Sequence, residues 1–308
     1  MADSTDTIRT SWQRFLDDYE PLRPDLYRFC RHLTRTPWEA EDVVQDAMAR
    51  AFVTLACMRE PPANPRAWLF QVASNLWTTQ AARARRIVVG DAPEAGADER
   101  EPRATREAAG TLLAQLSPQE RASVVLADVF DFSNAEIASV LSTTPNAVKA
   151  ALHRGRGKLV DPAHESTVAV APPVLDEFCR AFDARDIERL TALLLDTAIV
   201  ELPGLVVEHG ALAAKAGTFR GTLYGCPDEE HAALPNVRAE VHLHRGEPIL
   251  AWFVDDEVHT VVRAVVDGDR ITRLTSYYHA PEVVAEVCRE LQLPYRTHGY
   301  RYWERGES

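Results

Sequence analysis

Four polar side chains recur along one stretch of the chain at steps of three, four and three residues: Asn146, Lys149, His153 and Arg156. On an α-helix this spacing places them on one face. Two more cations, Arg154 and Lys158, flank the face. Asn, Lys and Arg side chains reach base edges in the DNA major groove, and neighbouring cations neutralise phosphates. The stripe therefore predicts a DNA-binding helix, and the alternative is an ordinary solvated helix face.

Helix-start signals define the elements that must position this stripe. Ser117–Glu120 and Ser133–Glu136 are capping boxes, and Thr144-Pro145 starts a third helix. Only a few residues around Ser142 separate the second helix from the third, so the two must cross sharply. This is the helix-turn-helix layout. We expect its core to contain Ile137, Leu141, Val148, Ala151, Leu152 and Leu159.

Size and composition fit a soluble globular protein of two or three domains, with 308 residues, 46% hydrophobic and 26% charged. No apolar run is long enough to span a membrane, and the N-terminus lacks a signal-peptide core. The five cysteines form no CxxC pair. We therefore expect reduced thiols in a cytoplasm, no membrane association, and no cofactor or metal.

The formal net charge of −12 is unusual for a DNA-binding protein, since free-standing DNA-binding domains are usually basic. The cations are local, around Arg83–Arg86 and Arg154–Lys158, while the rest of the chain is acidic. This balance favours a protein that binds DNA poorly alone and is delivered to it by a larger, basic assembly.

The N-terminal part predicts three amphipathic helices. The first covers about residues 12 to 33 and is divided by Pro21 and Pro24. A capping box at Thr36–Glu39 starts the second, which runs to about Met58. Its polar face carries Glu41, Asp42, Gln45, Asp46 and Arg50, and by itself this face would be a solvated surface.

Asn64-Pro65 caps the next helix, in which Trp68, Val72 and Leu76 form a buried seam. Amide and cationic groups gather on it towards the C-terminal half: Asn75, Gln80, Arg83, Arg85 and Arg86. Aromatic, amide and guanidinium groups on one rigid helix are typical of single-stranded DNA recognition. A core tryptophan with cations that complement the helix dipole is an equally good interpretation of the residues alone.

Residues 11 to 160 resemble an extracytoplasmic-function (ECF) sigma factor of the sigma-70 family. Three blocks carry the resemblance, in order: AEDVVQDAMARAF (40 to 52), NPRAWLFQVASNLW (64 to 77) and LSPQERASVVLADVFDFSNAEIASVLSTTPNAVKAALHRGRGKL (116 to 159). The resemblance implies two all-α domains, a region 2 domain and a helix-turn-helix region 4 domain. It also implies two partners, core RNA polymerase (clamp helices and flap of the large subunits) and promoter DNA.

The resemblance assigns roles to residues. Asp42, Gln45 and Asp46 would bind polymerase. The −10 element would be contacted by Asn75, Gln80, Arg83, Arg85 and Arg86. The −35 element would be contacted by Asn146, Lys149, His153, Arg154, Arg156 and Lys158. A protein with these roles has no active site in its first two domains, so we expect that it is not an enzyme.

The pattern changes after about residue 173, where two short helices (174 to 182 and 187 to 195) precede strand-like segments. In the segment 237 to 244, apolar residues alternate with Arg238, Glu240, His242 and His244, which predicts a half-buried strand. Further strands are expected at 249 to 254, 258 to 266 and 270 to 278, with a hairpin turn at Asp267–Asp269. A helix from Pro281 to Leu291 closes this α+β domain.

This segment resembles the SnoaL-like branch of the cone-shaped α+β fold, through FCRAFDARDIERLTALL (178 to 194) and VVDGDRITRLTSYYHAPEVV (265 to 284). Relatives with this fold use pocket acids, Tyr and His for proton transfer. The candidates here are Glu201, His242, His244, Tyr277, Tyr278 and His279. They identify no catalytic set, and a solvated strand face is favoured for His242 and His244. We expect a regulatory domain that contacts the sigma domains within the chain and can take a small ligand.

The sequence thus predicts region 2 at 11–88, an acidic linker at 89–110, region 4 at 111–161, a linker at 162–172 and the SnoaL-like domain at 173–303. The expected function is promoter-specific transcription initiation by an ECF-type sigma factor whose C-terminal domain modulates its activity. One alternative is a stand-alone helix-turn-helix regulator with a small-molecule-binding C-terminal domain. The other is an enzyme of the SnoaL type tethered to DNA.

Overall fold

The computed structural model describes residues 2–89, 116–157, 170–226, 231–232 and 236–300. The chain divides into two compact units, Met1–Glu165 and Ser166–Ser308. No helix in these described ranges is both long and apolar enough to cross a membrane.

The first half of the N-terminal unit consists of α1 (Ala2–Tyr19), a 3-10 turn (Glu20–Leu22), α2 (Arg23–Leu33), α3 (Pro37–Cys57) and α4 (Pro65–Val89). The break between α1 and α2 falls at Pro21 and Pro24, as expected. Asn64 caps α4, with its Oδ1 accepting from the Ala67 amide at 3.0 Å.

The capping box expected at Thr36 is only half formed. Thr36 Oγ1 accepts from the Glu39 amide at 3.1 Å, but the Glu39 carboxylate accepts from the Arg35 amide at 2.9 Å instead of from Thr36. The reciprocal bond predicted from the sequence is therefore wrong, because the Glu39 side chain reaches one residue further back and pairs with the amide there.

The second half consists of α5 (Pro118–Asp128), α6 (Asn134–Val140) and α7 (Pro145–Gly157). Both predicted capping boxes form, at Ser117 and at Ser133. Between α6 and α7 the chain turns at Ser142, whose φ of 51° is left-handed. The helix-turn-helix is confirmed.

The core of the helix-turn-helix is as expected for the residues that the structure describes. Ile137, Val148 and Ala151 are fully buried, and Leu141 is half-buried. Leu159 lies outside the described residues. α7 approaches α5 closely at Gly155, where an added Cβ would lie 2.8 Å from Val124 Cγ2.

The C-terminal unit begins with α8 (Pro173–Asp183) and α9 (Ile187–Ala192). Two strands follow, β1 (Leu194–Leu202) and β2 (Val206–His209), and then a helical segment made of α10 (Ala211–Ala214), a π-helical turn (Lys215–Phe219) and α11 (Arg220–Tyr224). β3 (Gly225–Cys226) pairs with β4 (His231–Ala232).

The remaining elements are β5 (Val237–His244), β6 (Glu247–Val254), β7 (Glu257–Asp267), β8 (Arg270–Ser276) and α12 (Pro281–Leu291). The main sheet has the order β2-β1-β8-β7-β6-β5. β1 and β8 are parallel, and the other neighbours are antiparallel. The expected fold class, two helical regions followed by an α+β domain, is confirmed.

The core of this unit lies between α8 and one face of the sheet. Phe178, Phe182 and Phe219 are fully buried there, and the Phe182 and Trp252 rings lie 4.6 Å apart. The amphipathic pattern of α8 and the apolar residues of the central strands supply this core, since burying each large side chain is worth about 1.5–3 kcal/mol.

Two expectations for this unit are wrong. The helix predicted to run to Leu195 ends at Ala192, because the chain there pairs with β8: the Ile271 amide donates to Leu193 O at 2.9 Å. The alternation of β5 also fails at its end, where His244 is 3% exposed and Leu243 is 41% exposed. The reason is that α12 covers this end of the strand and provides Glu290, to whose carboxylate His244 Nε2 bonds at 2.9 Å.

Candidate nucleic-acid and polymerase interface

Helix α7 presents its polar stripe to solvent. The five described members of the stripe and its flanks are all exposed: Asn146, Lys149, His153, Arg154 and Arg156. The opposite face is buried, with Val148 at its centre. Lys158 lies outside the described residues. The structure thus brings the expected −35 contacts together on one accessible helix face.

Two arginines of this face are oriented from α5. Arg156 places its guanidinium against both carboxylate oxygens of Asp128, with Nε donating to Oδ2 at 3.2 Å and Nη2 to Oδ1. Arg154 Nε donates to Glu120 Oε1 at 3.0 Å. The hydrogen bond to Asp128 and its charge raise the pKa of Arg156. Both guanidinium groups therefore have a carboxylate partner on α5 while they remain exposed.

Helix α4 carries the expected −10 contacts. Asn75 and Gln80 are exposed. Gln80 Nε2 donates to Asp46 Oδ2 on α3 at 3.3 Å, so one expected −10 residue contacts one expected polymerase-binding residue. Arg83, Arg85 and Arg86 lie on α4, but their side chains fall outside the described residues.

Helix α3 carries the expected polymerase-binding residues Asp42, Gln45 and Asp46. Both aspartates are exposed, whereas Gln45 is half-buried. Gln45 Nε2 donates to Glu41 Oε1 at 2.6 Å, which fixes the orientation of its amide.

The prediction of a solvated polar face on α3 is wrong for Glu41. Its side chain is fully buried and forms an ion pair with Arg23 of α2, which is itself buried. A buried charge is stable only when it is paired and hydrogen-bonded, as both groups are here. Glu41 therefore joins α2 to α3, whereas Asp42 and Asp46 lie on the exposed surface of α3.

The two halves of the N-terminal unit meet at a junction that was not predicted from the sequence. Phe29 of α2 and Phe70 of α4 are stacked with ring centroids 4.7 Å apart, and Phe130, after α5, lies edge-on to Phe70 at 5.1 Å. Arg121 of α5 donates to Leu33 O of α2 at 2.6 Å. The available signal was the apolar pair Phe130 and Phe132 in the turn between the first two helices of the helix-turn-helix.

In the C-terminal unit the residues named for proton transfer contact different partners. Glu201 Oε1 accepts from Arg273 Nη1 at 2.9 Å and from Thr275 Oγ1 at 2.7 Å. His242 Nε2 lies 3.1 Å from Glu240 Oε2. These contacts are those of structural polar groups on the sheet.

The other named residues lie near the end of β8. Tyr277 is buried, and the rings of Tyr278 and His279 lie 5.0 Å apart. His279 Nδ1 bonds to Gly299 O at 2.9 Å, and Tyr278 stacks on His298. In the described part of the chain, no three His, Cys, Asp or Glu side chains are placed to hold a metal ion.

Burial shifts the pKa values of several ionisable side chains in the C-terminal unit. It lowers the pKa of His244, although Glu290 opposes the shift, and it raises the pKa of Glu208, whose Oε1 accepts from the Thr218 amide at 2.9 Å. For Glu290, burial works against ionisation, but the Arg245 hydrogen bond and charge prevail and lower the pKa. Cys179 is a buried thiol whose pKa is raised to about 12 by burial and nearby carboxylates.

Comparison with known families identifies the N-terminal unit. The family described as Sigma-70 region 2 matches residues 19–87, and the family described as Sigma-70, region 4 matches residues 106–159. The chain therefore carries both regions of a sigma-70-type factor, in the expected order. The ECF RNA polymerase sigma factor SigL of Mycobacterium tuberculosis is 35% identical over 142 residues, which cover 44% of this chain and 80% of SigL. The chain belongs to the ECF RNA polymerase sigma factors, a family of initiation factors that are not enzymes.

Two further relatives are longer matches. The M. tuberculosis ECF RNA polymerase sigma factor SigG is 28% identical over 222 residues, 60% of each chain. This chain thus spans about 60% of the length of SigG. The crystal structure of M. tuberculosis SigJ is similar at 22% identity and a TM-score of 0.33, covering 85% of this chain and 95% of SigJ.

Proposed function

We propose that the protein is an ECF-type sigma factor that binds core RNA polymerase in the cytoplasm and directs it to promoters with a −10 and a −35 element. The observation that carries the proposal is the match to both sigma-70 regions, joined to a helix-turn-helix whose stripe of Asn146, Lys149 and Arg156 is exposed. A local cationic face on an otherwise acidic chain fits a protein that reaches DNA through polymerase.

In this proposal three helix faces have separate binding roles. Asp42, Gln45 and Asp46 on α3 dock on the polymerase clamp helices. The −10 element is read by α4, through Asn75, Gln80, Arg83, Arg85 and Arg86. The −35 element is read by α7, through Asn146, Lys149, His153, Arg154 and Arg156, and by Lys158. Region 2 spans 11–88 and region 4 spans 111–161, with tethers at 89–110 and 162–172. Each module alone binds weakly, and joint engagement supplies avidity.

The test separates DNA reading from polymerase binding. Lys149→Ala and Arg156→Ala should each lower initiation from the cognate promoter by about 5- to 100-fold, since one base contact is worth about 1–3 kcal/mol. Binding to core polymerase should stay at the wild-type level. The matched control is Arg180→Ala, which removes an exposed cation from α8 and should leave both unchanged. Loss of polymerase binding in the α7 variants would contradict the division.

We further propose that the C-terminal α+β domain (173–303) regulates the sigma domains by contact within the chain, with or without a small ligand. The supporting observation is a complete additional core around Phe178, Phe182 and Trp252, separate from the sigma regions. A chain ending at Glu165 should therefore differ from the full chain in initiation in vitro with core polymerase. An unchanged level from a folded truncation would contradict regulation by this domain.

A further inference from the structure

We propose that the C-terminal unit binds a divalent transition-metal ion, with His259 and His298 as its two protein ligands. His259 lies on β7, and His298 lies on the stretch 292–300 that follows α12, which we call the terminal segment. The site is a property of the free chain, so it goes beyond the proposed function in transcription and does not depend on it.

A β-bulge positions His259. Thr260 of β7 pairs with Trp252 of β6, but the next residue of β6, Phe253, pairs with Val258. His259 is therefore the extra residue of the bulge. A bulge bends its strand and re-aims a side chain, and bulges are frequent beside functional sites. The re-aimed His259 side chain is largely enclosed, since the residue is only 9% exposed.

Two backbone hydrogen bonds hold the terminal segment beside the start of β7. The Val258 amide donates to Pro294 O at 2.8 Å, and the Arg296 amide donates to Val258 O at 2.9 Å. Val258 directly precedes the bulge, so these bonds bring the terminal segment next to His259 by backbone contacts alone. Ligands that the backbone already holds near each other bind an ion at a lower cost in conformational entropy.

The ring of His298 is anchored at the end of β8. It stacks on Tyr278 with ring centroids 4.1 Å apart and an angle of 9° between the ring planes. The residue after it, Gly299, accepts at its carbonyl oxygen from His279 Nδ1 at 2.9 Å. Because a carbonyl oxygen can only accept, Nδ1 of His279 carries the proton in this contact. Contacts on both sides of the terminal segment thus fix where the His298 imidazole lies.

The two imidazoles face each other at a distance that one metal ion can bridge. His298 Nε2 lies 3.1 Å from His259 Nδ1. Zn²⁺–N bonds are about 2.0–2.1 Å long, so two of them at an angle of about 90–109° separate their nitrogens by about 2.8–3.4 Å. The ion then lies off the line that joins the two nitrogens. The same distance suits a hydrogen bond between the rings, so we expect only a small rotation of each ring when the ion replaces that bond.

Ion binding needs a lone pair on both facing nitrogens. In the hydrogen-bonded pair one facing nitrogen carries a proton and the other accepts it. When the ion binds, the donating ring moves that proton to its second nitrogen through solvent, so both rings stay neutral and no net proton is released. Acid competes with the ion, because a protonated imidazole has no lone pair to give.

The ligand set determines the class of ion. Imidazole nitrogens suit Zn²⁺, Cu²⁺ and Ni²⁺, whereas Mg²⁺ and Ca²⁺ prefer oxygen ligands. Among the described residues no three His, Cys, Asp or Glu side chains are placed to hold an ion together, so we expect water to fill the further coordination positions. His298 and His279 are half-buried, which leaves a path from solvent to the pair.

Zinc binding to the full chain tests the proposal. Thiolates also bind Zn²⁺, so every chain carries Cys57→Ser and Cys226→Ser, while Cys30, Cys179 and Cys288 are buried. Competition against a chromophoric chelator at about pH 7.5 measures the number and the affinity of the bound ions. We expect one Zn²⁺ ion per chain in the tightest class of sites, and no competition from an equal concentration of Mg²⁺.

His259→Gln and His298→Gln should each remove this one equivalent, with a loss of affinity of at least about tenfold, because each deletes one of two ligands to the same ion. The matched control is His209→Gln, which deletes an exposed imidazole from the edge strand β2 and should change neither number nor affinity. Zn²⁺ should also raise the midpoint of thermal unfolding in the parent chain but in neither ligand variant.

Circular dichroism without metal verifies that each variant is folded. If His259→Gln does not fold, His298→Gln decides alone, since His298 lies on the half-exposed terminal segment. Unchanged zinc affinity in a folded ligand variant, or an equal loss in His209→Gln, would mean an adventitious ion only and would overturn the proposal.

Discussion

The polar side chains singled out in the two units of the chain differ in their surroundings. In the N-terminal unit the residues expected to bind DNA, such as Asn146 and Lys149, are exposed on a helix face. In the C-terminal unit two of the residues named for chemistry have partners far along the chain: His244 contacts Glu290, and Glu201 contacts Thr275. The spacing of polar residues on α7 therefore predicted which side chains share an exposed face, whereas the same reasoning on a strand named residues that form structural contacts.

The largest expected effect concerns the ion pair of Glu41 and Arg23, which is buried although it lies in the N-terminal unit. Glu41→Ala leaves Arg23 charged in a buried site and should lower the free energy of unfolding of this unit by about 3–5 kcal/mol. Denaturant titration measures the change. The matched control is Asp42→Ala, the exposed neighbour, which should change it by about 0.5 kcal/mol or less. Equal effects of the two substitutions would show that Glu41 is solvated after all.

A smaller effect is expected at a helix cap. Ser133 Oγ accepts from the Glu136 amide at 3.3 Å, and the Glu136 carboxylate accepts from the Ser133 amide at 2.8 Å. Ser133→Ala should cost about 1 kcal/mol, and Ser133→Asp should retain most of the stability because Asp also caps helices. Thermal unfolding of the three proteins measures this order. If the alanine and aspartate variants were equally stable, the cap would have no role.

These caps explain why the helical unit was largely predictable. Ser117, Ser133, Thr144 and Asn64 each start a helix through bonds to amides three residues away, so the signal is local. The burial of Glu41 could not be predicted, because it depends on Arg23, which is 18 residues away. The junction around Phe130 was missed for the same reason, since its partners belong to distant helices.

The C-terminal unit was less predictable because its contacts are non-local. β1 and β2 were missed: β1 lies in the sheet through pairing with β8, more than seventy residues later, and carries no clear alternation of its own. Leu243 and His244 were assigned to the wrong faces because α12, which covers this end of β5, follows some forty residues later. Strands 5 to 8 and the closing helix were still found, since their apolar pattern and the Asp267–Asp269 turn are local.

The next test of the difference between the two units is the pH dependence of stability, which should appear in the C-terminal unit. The folded state lowers the pKa of His244 below 6.5, so the unfolded state binds the proton more readily. The stabilisation that His244 contributes to the folded state is fully present above pH 6.5. It is lost as the pH falls from there through the lowered pKa of the folded state. Glu290, whose pKa is lowered from 4.5, adds to the loss at still lower pH.

The measurement compares unfolding of the C-terminal unit at about pH 7.5 and about pH 5.5 in the wild type, His244→Gln and His242→Gln. His244→Gln should lose less stability on acidification than the wild type. His242→Gln, the same change two residues earlier on the strand, should keep the wild-type difference. An identical acid response in all three would contradict the lowered pKa of His244.

The smallest stability effect is expected for an exposed pair on the DNA-reading face. Asp128→Asn removes the carboxylate that orients Arg156, and exposed ion pairs are worth only about 0–1 kcal/mol. Thermal unfolding should therefore hardly change. Freed from Asp128, Arg156 should bind non-specific DNA more readily, which a salt-dependent binding titration of the polymerase complex detects. A large loss of stability would mean that this pair holds α7 on α5.

The most direct test of the central claim is to mix the purified chain with core RNA polymerase and a library of promoter fragments, and to measure both co-migration and initiated transcripts. The account predicts that the chain co-migrates with the core enzyme and adds initiation at fragments that carry a −10 and a −35 element. A chain that neither co-migrates with the core enzyme nor adds transcripts to it would contradict the account.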